Sequence, residues 1–229
     1  MAMHNCCSMK GAEGEISLEN VVARTVEAFP ALNLLEQRAS LQLYRLLAEG
    51  RPVPRGTLAQ RLGISADTVD RILDRWPGVF ADSQKRIVGY GGLALLSAYA
   101  GPHQLTIGGR KLSAWCAWDT LFLPQLLGQT AEIESASPDR GGTIRLTVSP
   151  ERVERVQPID ARMSFLLPDA AAVQKDVVST FCHFIHFFAS RQAGENWVAQ
   201  RSGIFLLSIE EAQVLARRKN EMQYREMMG

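Results

Sequence analysis

Cys116 and Asp119 are the residues whose types and spacing first suggest chemistry. The spacing predicts that Ser113 is an N-cap, with a helix running to Leu127 and a Pro124 kink before Gly128. Cys116 would then be the third helical residue, where free backbone N–H groups and the positive helix end favour a thiolate. Asp119, three residues on, would share its helix face. Trp115, Trp118, Leu121 and Phe122 surround the pair with apolar bulk. A carboxyl there has its pKa raised by desolvation and can hold and deliver a proton near neutral pH. The expected unit is a soft nucleophile beside a proton donor in a dry pocket.

Cys182 lies in the aromatic run Phe181-Cys-His-Phe-Ile-His-Phe-Phe188, read as a buried strand with helix as the alternative. Two thiolates from Cys116 and Cys182 would select a soft, thiophilic metal. Four other readings stand beside this one, the first a winged-helix regulator that senses a soft metal through Cys116 and Cys182. Cys182 and His186 could be core residues, since free cysteine is among the most buried types. Cys116, Cys182, His183 and His186 could supply four zinc ligands, although Cys-His-x-x-His is no established zinc spacing. Cys116 with His186 as base could form a thiol hydrolase, although no oxyanion-hole motif is visible.

The elements that must position these residues point to an α+β fold. Residues 1–14 lack periodicity and read as a flexible tail carrying Cys6 and Cys7. Ser17 caps a helix from Leu18 to Phe29, and a second helix covers Glu36 to Glu49. Helices at 58–62 and 66–76, the latter capped by Ser65, precede a hairpin around Asp82-Ser-Gln-Lys85. That is the winged-helix order. The helix from Ser65 to Trp76 carries Asp67, Asp70 and Asp74 against Arg71 and Arg75, unlike a groove-reading helix, so the module reads as a scaffold. Short strands follow at 104–107, 130–134, 143–148, 153–156, 164–167 and 204–207. Asp169 caps a helix to about Thr180, a short helix covers Glu195 to Arg201, and Ser208 caps a last helix to Met228. The expected organisation is the tail, an N-terminal winged-helix-like module over 15–92, and an α/β domain with short antiparallel strands over 93–229.

Composition narrows the partners. The chain has 229 residues, 46% hydrophobic and 21% charged, with 25 Lys+Arg against 24 Asp+Glu. It can bury a core without staples. A net charge of +1 argues against a general polyanion binder. Four scattered cysteines are no secreted disulfide framework. No signal-peptide core or membrane-length apolar run is visible, so the expected location is the cytoplasm, without membrane or nucleic-acid partners.

Several blocks resemble the organomercurial lyase (alkylmercury lyase, MerB) family. They are Leu112-Ser-Ala-Trp-Cys-Ala-Trp-Asp-Thr-Leu-Phe122 with Pro124-Gln-Leu-Leu-Gly128, Leu146-Thr-Val-Ser-Pro150, and Ser179-Thr-Phe-Cys182 through His186-Phe-Phe-Ala-Ser190. Gly50-Arg-Pro-Val53 and Ile87-Val-Gly-Tyr90 are similar to the family's N-terminal module, and the resemblance spans roughly residues 16–215. It implies protonolysis of carbon–mercury bonds in alkyl and aryl mercury compounds. Cys116, Asp119 and Cys182 would be catalytic, and the Hg(II) product would be held by Cys116 and Cys182 with Asp119 nearby. It implies no cofactor beyond the thiols needed for turnover. Cytosolic thiols or a mercuric reductase would accept the ion. Many relatives carry a second cysteine where His183 stands here. Cys6 and Cys7 match nothing in the family, and the Cys6-Cys7 pair could relay mercury outward.

Overall fold

Side-chain caps set most helix starts. The computed structural model describes residues 8–11 and 14–228. Strands β1 (Ser8–Gly11) and β2 (Gly14–Ser17) pair antiparallel, so part of the stretch read as aperiodic is a hairpin. Cys6 and Cys7 lie outside the described residues. Ser17 accepts from the Asn20 N–H and starts α1 (Leu18–Glu27). Asn33 and Glu36 form a reciprocal capping box that starts α2 (Leu34–Ala48) two residues before the expected position. Helices α3 (Arg55–Leu62) and α4 (Ala66–Arg75, capped by Ser65) lead into the hairpin of β3 (Val79–Ala81) and β4 (Ile87–Tyr90).

Strands β5 (Leu93–Leu95), β6 (His103–Ile107) and β7 (Arg110–Ala114) come next. Helix α5 (Asp119–Leu127) precedes β8 (Ala131–Ala136), β9 (Thr143–Val148), β10 (Val153–Gln157) and β11 (Arg162–Leu166). Helix α6 (Ala170–Thr180) starts at the Asp169 cap and is interrupted at Asp176. A single 3-10 turn (Cys182–Phe184) joins it to β12 (Phe187–Phe188). Then follow α7 (Arg191–Val198), β13 (Ile204–Ser208), α8 (Ile209–Gln223) and α9 (Arg225–Met228).

The mixed helix and antiparallel-sheet architecture matches the expected α+β class. One eight-stranded sheet runs β10-β9-β8-β6-β7-β5-β4-β3, and a three-stranded sheet runs β12-β11-β13. Strands on both sides of residue 92 therefore share one sheet. Helix α8 packs on α1, α5 and β13, with Ala212, Leu215 and Ala216 buried. Among the described residues no helix is long and apolar enough to cross a membrane.

Three local expectations fail. Ser113 is not an N-cap but a strand residue, paired with Ala94 of β5 and Gln104 of β6. Partners on both sides of β7 outweigh the local preference of Ser-Ala-Trp-Cys for a helix start. Residues 181–188 are neither one strand nor one helix, because Ser164 on β11 pins the turn: its hydroxyl donates to the Phe184 carbonyl at 2.8 Å and accepts from the His186 N–H at 3.0 Å. The helix expected over 195–201 starts at Arg191, because Ser190 caps it.

Candidate active site

The two cysteine segments meet through backbone. The Ala117 N–H donates to the Ile185 carbonyl at 3.2 Å, joining the turn before α5 to the 3-10 turn after α6. Cys116, Asp119 and Cys182 are thereby brought together, with their ligand atoms all within 4.8 Å of one another. All three are buried, and both cysteines are free thiols. Among the described residues this is the one cluster of three such groups, and no histidine belongs to it.

Asp119 is the first residue of α5, and its Oδ2 accepts from the Cys116 N–H at 2.8 Å. Carboxylate and thiol are thus held together by a three-residue turn rather than by a helix face. Burial pushes the Asp119 carboxyl up to about 7, against the opposing hydrogen bonds from Cys116. This agrees with the expected proton donor in an apolar setting. The expectation for Cys116 fails. Cys116 precedes the helix, and burial raises its thiol well above the ordinary range, with the hydrogen bond to Cys182 and the Asp119 charge adding to the effect. Desolvation outweighs the helix end. At Cys182 the hydrogen bond from Cys116 favours the thiolate, but burial and the Asp119 charge leave a net upward shift.

Asp119 and Cys182 sit on the wall of a cavity lined by aromatic side chains, among them Trp115, Trp118, Phe122 and Phe181. Trp118 meets Phe122, Phe165 and Phe181 edge-on, and its indole N–H donates to the Ala212 carbonyl at 3.3 Å. Such packing fixes the turn that carries Cys116.

Two residues at this cavity escaped the sequence reading. Gly92, just before β5, has φ +95°, and a Cβ there would lie 2.5 Å from the Asp119 carboxyl carbon. Only glycine lets that backbone pass the carboxyl. Lys219 on α8 is 6% exposed and lies over the Phe122 ring at 4.1 Å. Burial brings its ammonium down to about 7, opposed by the Asp119 charge. Its position after Ala212, Leu215 and Ala216, at helical spacing, was the available signal.

The histidines go elsewhere. His186 Nε2 meets the His183 carbonyl oxygen at 2.8 Å, and its ring stacks on His103 at 6.0 Å. Neither the four-ligand zinc set nor the Cys116–His186 dyad is assembled.

The alkylmercury lyase family model matches residues 96–220. An alkylmercury lyase of Staphylococcus epidermidis is 40% identical over 175 residues, covering 76% of this chain and 78% of that protein. One of Pseudomonas putida is 38% identical over 191 residues, covering 82% and 87%. A crystal structure described as the mercury-bound form of MerB2 shares the fold, with TM-score 0.72 and 22% identity over 89% of this chain and 97% of that one. Taken with the assembled cysteine–aspartate cluster, these matches establish that the chain belongs to the alkylmercury lyase family.

Proposed function

We propose that this chain cleaves carbon–mercury bonds by protonolysis, with Cys116, Asp119 and Cys182 as the catalytic residues. The observation that carries this reading is two thiols and one carboxyl, buried and within 4.8 Å of one another, with Asp119 and Cys182 on the wall of an aromatic cavity. The substrate R–Hg–SR′ arrives as a thiol adduct. A cysteine thiolate forms a sulfur–mercury bond and displaces R′S⁻, which leaves with that cysteine's proton as R′SH. The second cysteine gives its proton to the Asp119 carboxylate and adds its sulfur to mercury. Two thiolate donors load negative charge onto the carbon. Asp119 then delivers the proton to it, releasing R–H and leaving Hg(II) on Cys116 and Cys182, with Asp119 nearby. A carboxyl near 7 suits both acceptance and delivery at neutral pH. The Cys116 hydrogen bond to Cys182 favours ionising Cys182 first.

No cofactor is needed beyond thiols. Bis-thiolate Hg(II) leaves by exchange, so cytosolic thiols and a mercuric reductase are the acceptors in this reading. A reducing cytoplasm keeps Cys116 and Cys182 free. Residues 15–92 serve as a winged-helix-like scaffold beside the catalytic region 93–229. Arg55 on α3 takes up Asp70 at 2.7 Å and Asp74 at 3.5 Å, which supports packing rather than nucleic-acid reading by α4.

Phenylmercury with excess thiol tests the function. The wild type should give benzene by gas chromatography, and Asp119→Ala and Cys182→Ala should give little. Mercury bound one per chain without benzene would leave a mercury-binding protein instead.

A further inference from the structure

The cavity that carries Asp119 and Cys182 has a second polar wall that the protonolysis does not use. Lys219 reaches it from α8, with a single long hydrogen bond, 3.4 Å, to Asn220 Oδ1. It lies over two aromatic faces, Phe122 at 4.1 Å and Tyr224 at 5.9 Å, and feels the Asp119 charge. No carboxylate among the described residues forms an ion pair with it. A buried ammonium without an anion is strongly disfavoured, and aromatic faces repay only part of that. Two further side chains on the same cavity hold buried polar atoms without hydrogen-bond partners: Trp76 at Nε1 and Gln223 at Oε1. Buried polar atoms are normally satisfied, so two incompletely satisfied donors on one cavity, Lys219 and the Trp76 indole N–H, point to a ligand that accepts hydrogen bonds. The cation sets the sign of that ligand's charge.

We propose that Lys219, with the Trp76 indole N–H, forms a carboxylate subsite, so that the cavity favours mercurials carrying a carboxylate. The proposal rests on the organomercurial reading above. The carboxylate could sit on the organic group, as in an arylmercury carboxylate, or on the thiol that delivers the mercury. Both place an anion beside the ammonium in an otherwise apolar cavity, where a charge-assisted hydrogen bond is strong. Burial brings Lys219 down to about 7 and the Asp119 charge only partly opposes this, so a second anion on the cavity side would favour the ammonium.

The test compares kcat/KM for three adducts: phenylmercury with 2-mercaptoethanol, 4-carboxyphenylmercury with 2-mercaptoethanol, and phenylmercury with mercaptoacetate. In the wild type one carboxylate-bearing adduct should exceed the neutral one by about tenfold, the scale of one charge-assisted contact. Preference for the second adduct assigns the subsite to the organic group, and preference for the third assigns it to the delivering thiol. Lys219→Met should bring the ratio close to one, and Lys219→Arg should keep most of it. No preference in the wild type, or the same ratio in Lys219→Met, overturns the subsite. Calorimetric titration of the mercury-free wild type with benzoate and benzyl alcohol reads the subsite without turnover or any variant. Benzoate should bind in preference, whereas equal or absent binding overturns the proposal. If benzoate binds but none of the adducts is cleaved, the function reading fails and the subsite stands.

Discussion

The cysteine–aspartate cluster and the histidine pair His103 and His186 both carry shifted titratable groups, and they differ in access. Asp119 and Cys182 line the aromatic cavity, with Cys116 fully buried beside them. His103 and His186 are not among the cavity's lining residues: His103 Nδ1 and Ser135 Oγ lie 2.6 Å apart, and the two imidazole rings stack. Burial acts on both, in opposite directions. It pushes the Asp119 carboxyl up to about 7 and brings His103 down to about 3 and His186 to about 4. Each shift favours the neutral form. Only the first leaves a group poised to exchange a proton near neutral pH, and only there is there room for a substrate. Burial and perturbed acidity alone do not mark a site; access and a proton balance near working pH do.

The largest effect should come from breaking the first cluster. Cys116→Ala or Cys182→Ala should lower phenylmercury turnover by about three orders of magnitude or more, and Asp119→Ala by 10²–10⁴, roughly the worth of a positioned general acid–base. Benzene release measures both. Residual turnover near wild type in any of the three would remove that residue from the mechanism.

Gly92→Ala should act next, because its Cβ would lie 2.5 Å from the Asp119 carboxyl carbon and its φ of +95° is strained for alanine. Turnover should fall by about 10- to 100-fold, the scale expected when a catalytic group is displaced by an ångström or so. Unchanged turnover would mean that the carboxyl has freedom the packing denies it.

Acidity sharpens the contrast further. Asp119 rises from an ordinary 3.8 to about 7 on folding, so between these values the folded chain binds more protons than the unfolded one. Its contribution to stability is fully present below 3.8 and is lost as pH rises to about 7. Asp119→Asn should therefore gain stability relative to the wild type across that window, at up to about 1.4 kcal/mol per pH unit. Denaturant melts at several pH values measure the difference, and a gap that does not grow with pH would contradict the shift. Activity should run the other way, with wild-type kcat/KM falling below pH 7 as the carboxylate is lost.

The smallest effect on chemistry belongs to the histidine pair. His186→Ala should leave phenylmercury cleavage within about twofold while lowering stability by about 1–2 kcal/mol through lost packing and hydrogen bonding. Abolished cleavage in a folded protein would return His186 to the active site.

Legibility in the sequence follows the same division. Caps written into neighbouring residues were readable, as at Ser17, Ser65, Asp169 and Ser208. So were the three residues of the candidate site, because two cysteine blocks and an aspartate carry chemistry in their own types. What depended on distant partners was not readable. Ser113 looks like a helix cap until β5 and β6 claim it for a strand, and Cys116 loses its expected helix position with it. Gly92 gains its meaning from the approach of Asp119, 27 positions away in the numbering. Lys219 reads as one more charge beside Arg217 and Arg218 until the apolar face of α8 turns it inward.

The central claim is that Asp119 delivers a thiol-derived proton to carbon while both sulfurs hold mercury. A single turnover of phenylmercury by the wild type in D₂O, read by mass spectrometry of the benzene and of the protein, tests it most directly. The account predicts monodeuterated benzene and one Hg(II) per chain, with benzene release suppressed in Asp119→Ala. Mercury bound without benzene in the wild type, or equal benzene from Asp119→Ala, would contradict it.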